Sequence, residues 1–555
     1  MQKLADGFLL GAATSAHQVE GNNTNSDYRA MEHMKSGGFV EPTGDAVVPK
    51  WGRIHNSYRR HKTDMAVTFQ NVRNAAERRA AEVLIDKAYD RIRNADDRTD
   101  AVFEVIDLVE TFLGSSLPEG SMDMIRNAFR DPSNRWVQYL YRIIDETDPH
   151  YAKRALMTLG YDAFLNGTKT IRANREKYHC NIPWLLLFDP TMACNLHCVG
   201  CWSGTYGHKS SLSNEDMDRI VTEGKELGAH LYMLTGGEPT VRMKDILALA
   251  KKHDDCFFAL YSNSTLITED ICRQVRDLGN ITFLLSIEGT PETNDGRRGD
   301  GHYAAVMKAM DLLNQYGIIF GTSICYTRDN VEAVTSDEFF RLLEEKRARF
   351  GFYFHLMPVG NNAVPELMPT IEQRKYMIKR IRQVRGPESD ICFYPMDFQN
   401  DGEYVGGCIA GGRNYFHINS NGDAEPCVFI HFSDSNIHEK SILECLQSPL
   451  FRAYHEGQPF NRNHLRPCPM LENPQLLRGM VKKTGAHQTN IESPEDVDHL
   501  CAKCDKYAGE WAPAAREIWD SKEHPRPVYE NYTKEKREHP ELAAFEHETG
   551  QDRTA

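Results

Sequence analysis

Cys194-Asn195-Leu196-His197-Cys198-Val199-Gly200-Cys201 follows the apolar run Trp184-Leu185-Leu186-Leu187-Phe188 after a short polar link. The run reads as a buried strand, and the octet as a loop at its end. The loop places three thiols at C-x3-C-x2-C spacing. Soft thiolates suit an iron–sulfur cluster, and three of them hold three irons of a cubane, leaving the fourth iron without a protein ligand. Zinc is the alternative. A structural zinc site wants a fourth ligand, and His197 sits inside the loop at a spacing poorly suited to a tetrahedron.

Around this loop the chain alternates between apolar runs and amphipathic segments. The runs are Trp184–Phe188, His230–Leu234, Cys256–Tyr261, Ile281–Ile287, Ile318–Cys325 and Phe350–Met357. Asp216–Leu227 and Lys244–Lys252 have helical period between them. Strands alternating with helices of this length imply βαβ units on a parallel sheet, an α/β class. About six units fit, fewer than a closed eight-stranded barrel needs. The second run ends in Thr235-Gly236-Gly237-Glu238-Pro239. Two glycines at a strand end expose backbone groups, and the glutamate adds an acceptor for an ammonium group. Alone, the same residues describe a tight turn before a helix.

Cys194, Cys198 and Cys201 with Gly236, Gly237, Glu238 and Pro239 resemble the radical S-adenosylmethionine (SAM) superfamily, over about 183–360. The resemblance implies a partial (β/α)6 barrel, with a [4Fe–4S] cluster whose open iron is chelated by the amino and carboxylate groups of SAM. It implies reductive cleavage of SAM to methionine and a 5′-deoxyadenosyl radical, which takes hydrogen from a substrate. It places Asn263, in Tyr261-Ser262-Asn263, near the SAM ribose, and Ser286 and Glu288 at a further SAM contact. Polar strand ends facing water are the plain reading of these three. Trp202 and Tyr206 follow the loop and suit either adenine packing or the core. His355 suits a substrate contact but reads more readily as a core histidine, and Arg297-Arg298-Gly299-Asp300-Gly301 suits an anion site but reads more readily as exposed charge.

Residues about 390–515 are loopy and contain Cys408, Cys427, Cys468, Cys501 and Cys504. Cys408, then Gly422 and Cys427, with Asn421-Gly422 as a hairpin turn, resemble the opening of the SPASM or twitch auxiliary-cluster domain. The dense run of four cysteines that completes the SPASM pattern is absent. The resemblance implies one auxiliary cluster on Cys408, Cys427 and Cys468, with Cys501 or Cys504. Reduced structural cysteines are the other reading.

Phe8-Leu9-Leu10-Gly11-Ala12-Ala13-Thr14-Ser15-Ala16-His17-Gln18 resembles the start of a family-one glycoside hydrolase, through about Val47. That family's two catalytic carboxylate motifs are absent, and so short a piece cannot close a barrel. A non-functional fragment is expected. The organisation read from the sequence is thus 1–50 fragment, 51–180 helical segment, 181–385 radical SAM core, 386–515 SPASM/twitch-like domain of α+β type and 516–555 charged tail.

The 555 residues carry 65 Lys plus Arg against 79 Asp plus Glu, a net charge of −14, which makes nucleic acid an unfavoured partner. No apolar stretch is long enough to span a membrane, and no secretory signal is read. The expected location is therefore the cytoplasm. An electron donor such as ferredoxin or flavodoxin and an unidentified peptide or small-molecule substrate are the partners the resemblance implies. The competing readings are a non-catalytic iron–sulfur or zinc protein that binds a partner and, remotely, a glycosidase.

Overall fold

The structure, a computed structural model, describes residues 75–113, 121–204, 206, 209–361 and 363–521. The glycoside-hydrolase-like stretch 8–47, with Gln18, and the tail beyond Ser521 lie outside the described residues. Two compact units divide the chain between Met122 and Asp123. In the first, the two expected helices run over 75–93 and Arg98–Leu113. Arg91 bridges them to Glu104 at 2.7 Å.

In the second unit, Arg135–Glu146 is helical as its spacing predicts, capped by the Asn134 side chain on Trp136 N–H. The rest of the expected helical segment is three consecutive stretches, Pro149–Ala155, Leu156–Gly167 and Thr168–Tyr178, the middle one wound as a π-helix. The wider winding leaves carbonyls outside the usual ladder, and Trp184 Nε1 donates to that of Ala163 at 3.4 Å.

The six expected strands are present: β1 Leu185–Phe188, β2 Leu231–Leu234, β3 Phe257–Ser262, β4 Ile281–Ser286, β5 Phe320–Tyr326 and β6 Phe350–His355. Each pairs with the next in parallel. The helices between them start where the sequence offers caps. Ser213 and Asp216 form a capping box for Asn214–Leu227, and Thr290 and Thr293 form one for Pro291–Arg298.

The sheet continues beyond these six. β7, Tyr394–Asp397, adds in parallel to β6. On the other edge, β8, Tyr415–Ile418, pairs in parallel with β1, opposite Leu185–Phe188. β9, Ala424–Glu425, then folds back on β8 as an antiparallel hairpin. The nine strands run β7-β6-β5-β4-β3-β2-β1-β8-β9.

Side chains alternate across the pleat. Leu186 and Phe188, Tyr232 and Leu234, Phe258 and Leu260, and Phe283 and Leu285 meet the helix layer in one core. Leu187, Met233, Tyr261, Cys325 and Phe354 turn to the other face, which encloses a cavity. A second core gathers the Cys-rich part against the helices Pro474–Thr484 and Val497–Asp520. Among the described residues no helix is long and apolar enough to cross a membrane.

Candidate cluster and cofactor site

The cavity holds about 320 Å³ and lies at the C-terminal ends of the parallel strands, where such sheets present their loops. Cys194, Cys198 and Cys201 line it, together with Gly236, Gly237, Glu238, Asn263 and Ser286. Pro239 and Glu288 stand behind its wall.

Each loop thiol meets a polar partner. Leu196 N–H lies 3.4 Å from Cys194 Sγ, and Asn263 Nδ2 lies 3.9 Å from it. Arg298 Nη1 approaches Cys198 Sγ at 4.0 Å. Ser203 Oγ lies 3.4 Å from Cys201 Sγ. Burial pushes the Cys194 thiol up to about 11 and raises that of Cys198. The loop is pinned at its end by Asn361 N–H on the Cys201 carbonyl at 2.9 Å. Three thiols on one loop, with a polar donor beside each sulfur, fit three ligands of a cubane.

The Gly236-Gly237 turn is zipped to the chain leaving β1. Gly237 N–H donates to Thr191 O and Glu238 N–H to Ala193 O, both at 2.9 Å. A Cβ at Gly237 would stand 2.4 Å from Ala193 O, and one at Gly236 2.5 Å from Thr191 O. No side chain fits so close an approach of two backbones.

Glu238 is buried, and much of its acceptor capacity is used inside the protein. Oε1 accepts from Thr240 N–H at 3.0 Å, from the Thr240 hydroxyl and from Ser262 Oγ at 2.9 Å. Oε2 accepts from Asn263 N–H at 2.6 Å. The carboxylate braces the end of β2 against the end of β3, and one lone pair on Oε2 remains for a cationic ligand.

Glu288 is wholly buried between two arginines. Arg297 Nη1 reaches Oε1 at 2.9 Å, Arg298 Nη2 reaches the same oxygen at 2.8 Å, and Arg298 Nε meets Oε2. Burial alone would raise this carboxyl; the Arg298 and Arg297 charges overcome it and hold it below the usual range. Both arginines line the cavity with side chains 13% and 12% exposed, so Arg297 and Arg298 are half-buried wall residues, not exposed charge. The helix Pro291–Arg298 turns them back onto Glu288. Its capping box is legible in the sequence, but the burial of its end is not.

Behind Cys201, Trp202 packs edge-on to His417, with ring centres 5.7 Å apart. His417, on β8, stands between Asp189 and Glu425 at 3.0 and 2.7 Å, all three with no exposure. Tyr206 donates to Glu425 Oε2 at 2.7 Å. Burial opposes the imidazolium, but the Asp189 and Glu425 carboxylates raise His417 to about 10. Nothing in the sequence reading pointed to this group. His355 is buried at the cavity wall, with both ring nitrogens engaged by Leu356 O and Tyr507 Oη at 2.7 Å each.

Cys408, Cys427, Cys468, Cys501 and Cys504 come together in the second core. Gln458 Nε2 and Arg413 Nη1 hold the Cys408 carbonyl at 3.0 and 2.8 Å. The β8–β9 hairpin, turning at Gly422 with φ +86°, brings in Cys427. Glu472 accepts from Cys468 N–H at 2.7 Å and pairs with buried Arg374 at 2.6 Å. Cys408, Cys427 and Cys468 are electrostatically coupled to one another, while Cys504 couples to Cys501. Burial pushes Cys408 up to about 11 and Cys427 and Cys501 up to about 12. Tyr454 belongs to the same core, and its buried hydroxyl has no hydrogen-bond partner. An orphaned buried donor in this Cys-containing core fits an auxiliary cluster whose sulfurs would accept from it.

Residues 189–343 match the model of the Radical SAM superfamily, and residues 408–470 match SPASM, an iron–sulfur cluster-binding domain. Among curated relatives, the AdoMet-dependent heme synthase of Oleidesulfovibrio alaskensis is 25% identical over 307 residues, covering 50% of this chain and 78% of the relative. Mycofactocin maturase MftC of Mycolicibacterium smegmatis is 28% identical over 295 residues, covering 50% and 73%. A solved structure of Streptococcus suis SuiB bound to S-adenosylmethionine aligns with a TM-score of 0.45 and 18% identity, covering 62% of this chain and 82% of that one. The chain carries a radical SAM domain over 189–343, whose cofactors are a [4Fe–4S] cluster and SAM, and a SPASM domain for auxiliary iron–sulfur binding over 408–470.

Proposed function

We propose that Cys194, Cys198 and Cys201 hold the [4Fe–4S] cluster, and that SAM lies against Gly236, Gly237, Glu238, Asn263 and Ser286. When bound and reduced, the cluster supplies the electron that splits SAM into methionine and a 5′-deoxyadenosyl radical. The chain's own part is to hold and aim. The carbonyls of the Gly236-Gly237 turn and the free lone pair of Glu238 receive an ammonium. Arg298, and Arg297 beside it, receive a carboxylate, and Glu288 keeps both guanidinium groups turned to the cavity. Glu288 therefore acts on SAM through the arginines. Cys408, Cys427, Cys468 and Cys501 hold an auxiliary cluster, with Cys504 behind Cys501.

The single observation that carries this reading is the shared cavity. Three loop thiols, a glycine-rich turn and two half-buried arginines line one space. A partner-binding zinc protein has no use for the last two. Much of the remaining wall is apolar, with Leu187, Met233, Phe352, Phe354, Phe398 and Phe429. Charged groups pay a desolvation penalty there, so the reacting part of the substrate is an uncharged apolar or aromatic group, carried by a peptide or a small molecule. A small electron-transfer protein of the ferredoxin or flavodoxin kind would supply the electron in the cytoplasm, and the net charge of −14 disfavours nucleic acid.

Anaerobic reconstitution with iron and sulfide, reduction and assay for 5′-deoxyadenosine tests the reading. The expected result is cleavage by the native chain and none by Cys198→Ala. Iron-loaded protein that neither binds nor cleaves SAM would overturn it. Deuterated aromatic peptides and tetrapyrroles then test the substrate class, by label transfer into 5′-deoxyadenosine.

A further inference from the structure

One tyrosine hydroxyl reaches an auxiliary thiol, and a second is buried without a partner against the loop that carries another. Tyr415 opens β8, its ring lines the cavity, and its hydroxyl lies 2.9 Å from Cys427 Sγ. β8 is hydrogen-bonded to β1, opposite Leu185, which fixes where that ring stands. Tyr454 lies on the helix Pro449–Gly457 and is wholly buried. It presses on the loop that carries Cys408: a Cβ at Gly411 would come within 2.5 Å of Tyr454 Cβ. A buried hydroxyl left unmatched is destabilising, so its position calls for an acceptor. Once Cys427 binds iron its sulfur carries no proton and accepts only, and the 2.9 Å contact then has one polarity, from Tyr415 to sulfur.

We propose that Tyr415 and Tyr454 are hydroxyl donors to the auxiliary iron–sulfur cluster, Tyr415 to the sulfur of Cys427 and Tyr454 to a sulfur of the cluster, and that both raise its reduction potential. The inference rests on the reading of Cys408, Cys427, Cys468 and Cys501 as cluster ligands. Reduction adds negative charge to the sulfurs, and a donated hydrogen bond stabilises the more negative state. Removing either hydroxyl therefore shifts the cluster toward its oxidised form. Tyr415 also joins this centre to the cavity, because one ring touches both.

The test is made in the Cys198→Ala chain, which retains the auxiliary site but not the loop cluster. Iron and sulfide analysis come first, followed by a potentiometric titration read by electron paramagnetic resonance. Tyr415→Phe and Tyr454→Phe are then compared with Tyr261→Phe, a cavity hydroxyl whose contact is Met233 Sδ at 3.8 Å. The expected result is about four irons retained, a midpoint lowered by about tenfold in the one-electron equilibrium (about 59 mV) in each of the first two, and no shift in the third. A merely structural role would lower the melting temperature and leave the midpoint in place. Retained iron with unmoved midpoints overturns the tyrosine assignment and leaves the auxiliary cluster standing. A Cys198→Ala chain without bound iron overturns both.

Discussion

His417 hydrogen-bonds Glu425 through Nδ1 at 2.7 Å, with neither side chain exposed to solvent. Asp189 completes the pairing from the end of β1. The imidazolium thus joins the first strand of the core to the hairpin that carries Cys427. His417→Ala leaves two buried carboxylates facing one another and is expected to cost about 3–5 kcal/mol, read by urea unfolding of the full chain.

The same group sets a pH dependence. A folded-state value raised to about 10 lies above the ordinary value of 6.5. The contribution of His417 to stability is therefore fully present below about pH 6.5 and lost as the pH rises through about 10. Chemical denaturation between pH 6 and 10 is expected to show a decline that His417→Ala lacks. Parallel curves for the two proteins would refute the charge assignment.

Arg298 serves both Glu288 and the cavity. Arg298→Ala is expected to weaken SAM binding by roughly tenfold to a hundredfold, the range of one charge-assisted hydrogen bond. It also strips a buried carboxylate of a partner. Adding Glu288→Gln should recover stability but not SAM affinity, which calorimetric binding and thermal unfolding together would separate.

Gly237→Ala puts a methyl group 2.4 Å from Ala193 O, a backbone atom that cannot step aside. SAM affinity should fall by at least tenfold, about 1.4 kcal/mol, while iron content is kept. Equal loss of iron and SAM binding would show that the turn supports the cluster loop as much as the cofactor.

Cys198→Ala should remove about four irons per chain and abolish SAM cleavage, leaving the iron of the auxiliary site. Complete loss of iron would mean that the auxiliary thiols hold none.

Much of this was legible in the sequence because the signals are local. Six apolar runs of strand length, each followed by a turn, became β1 to β6. The Cys194–Cys201 loop and the Gly236-Gly237 turn sit at strand ends, as their spacing implies. What was not legible depends on partners far along the chain. Tyr415-Phe416-His417-Ile418 is too short and polar to read as a core strand until β1 is beside it. Arg297 and Arg298 look solvated until Glu288 is known to lie beneath them. Asp189, His417 and Glu425 are unremarkable apart, and acquire meaning by converging in a buried space.

The pairing of β8 with β1 also bears on how the protein is taken apart. A chain cut between β7 and β8 would keep the cluster loop and the glycine-rich turn, yet expose the full edge of β1 directly beneath that loop. Bare parallel edges recruit other chains. Such a fragment would aggregate or collapse the loop it was meant to preserve, and an auxiliary module borrowed from a relative would have to bring its own matching strand and tyrosine. The cluster loop and the hairpin carrying Cys427 therefore share a single seam of backbone, and a cut along that seam disturbs both even though each can lose its own iron separately.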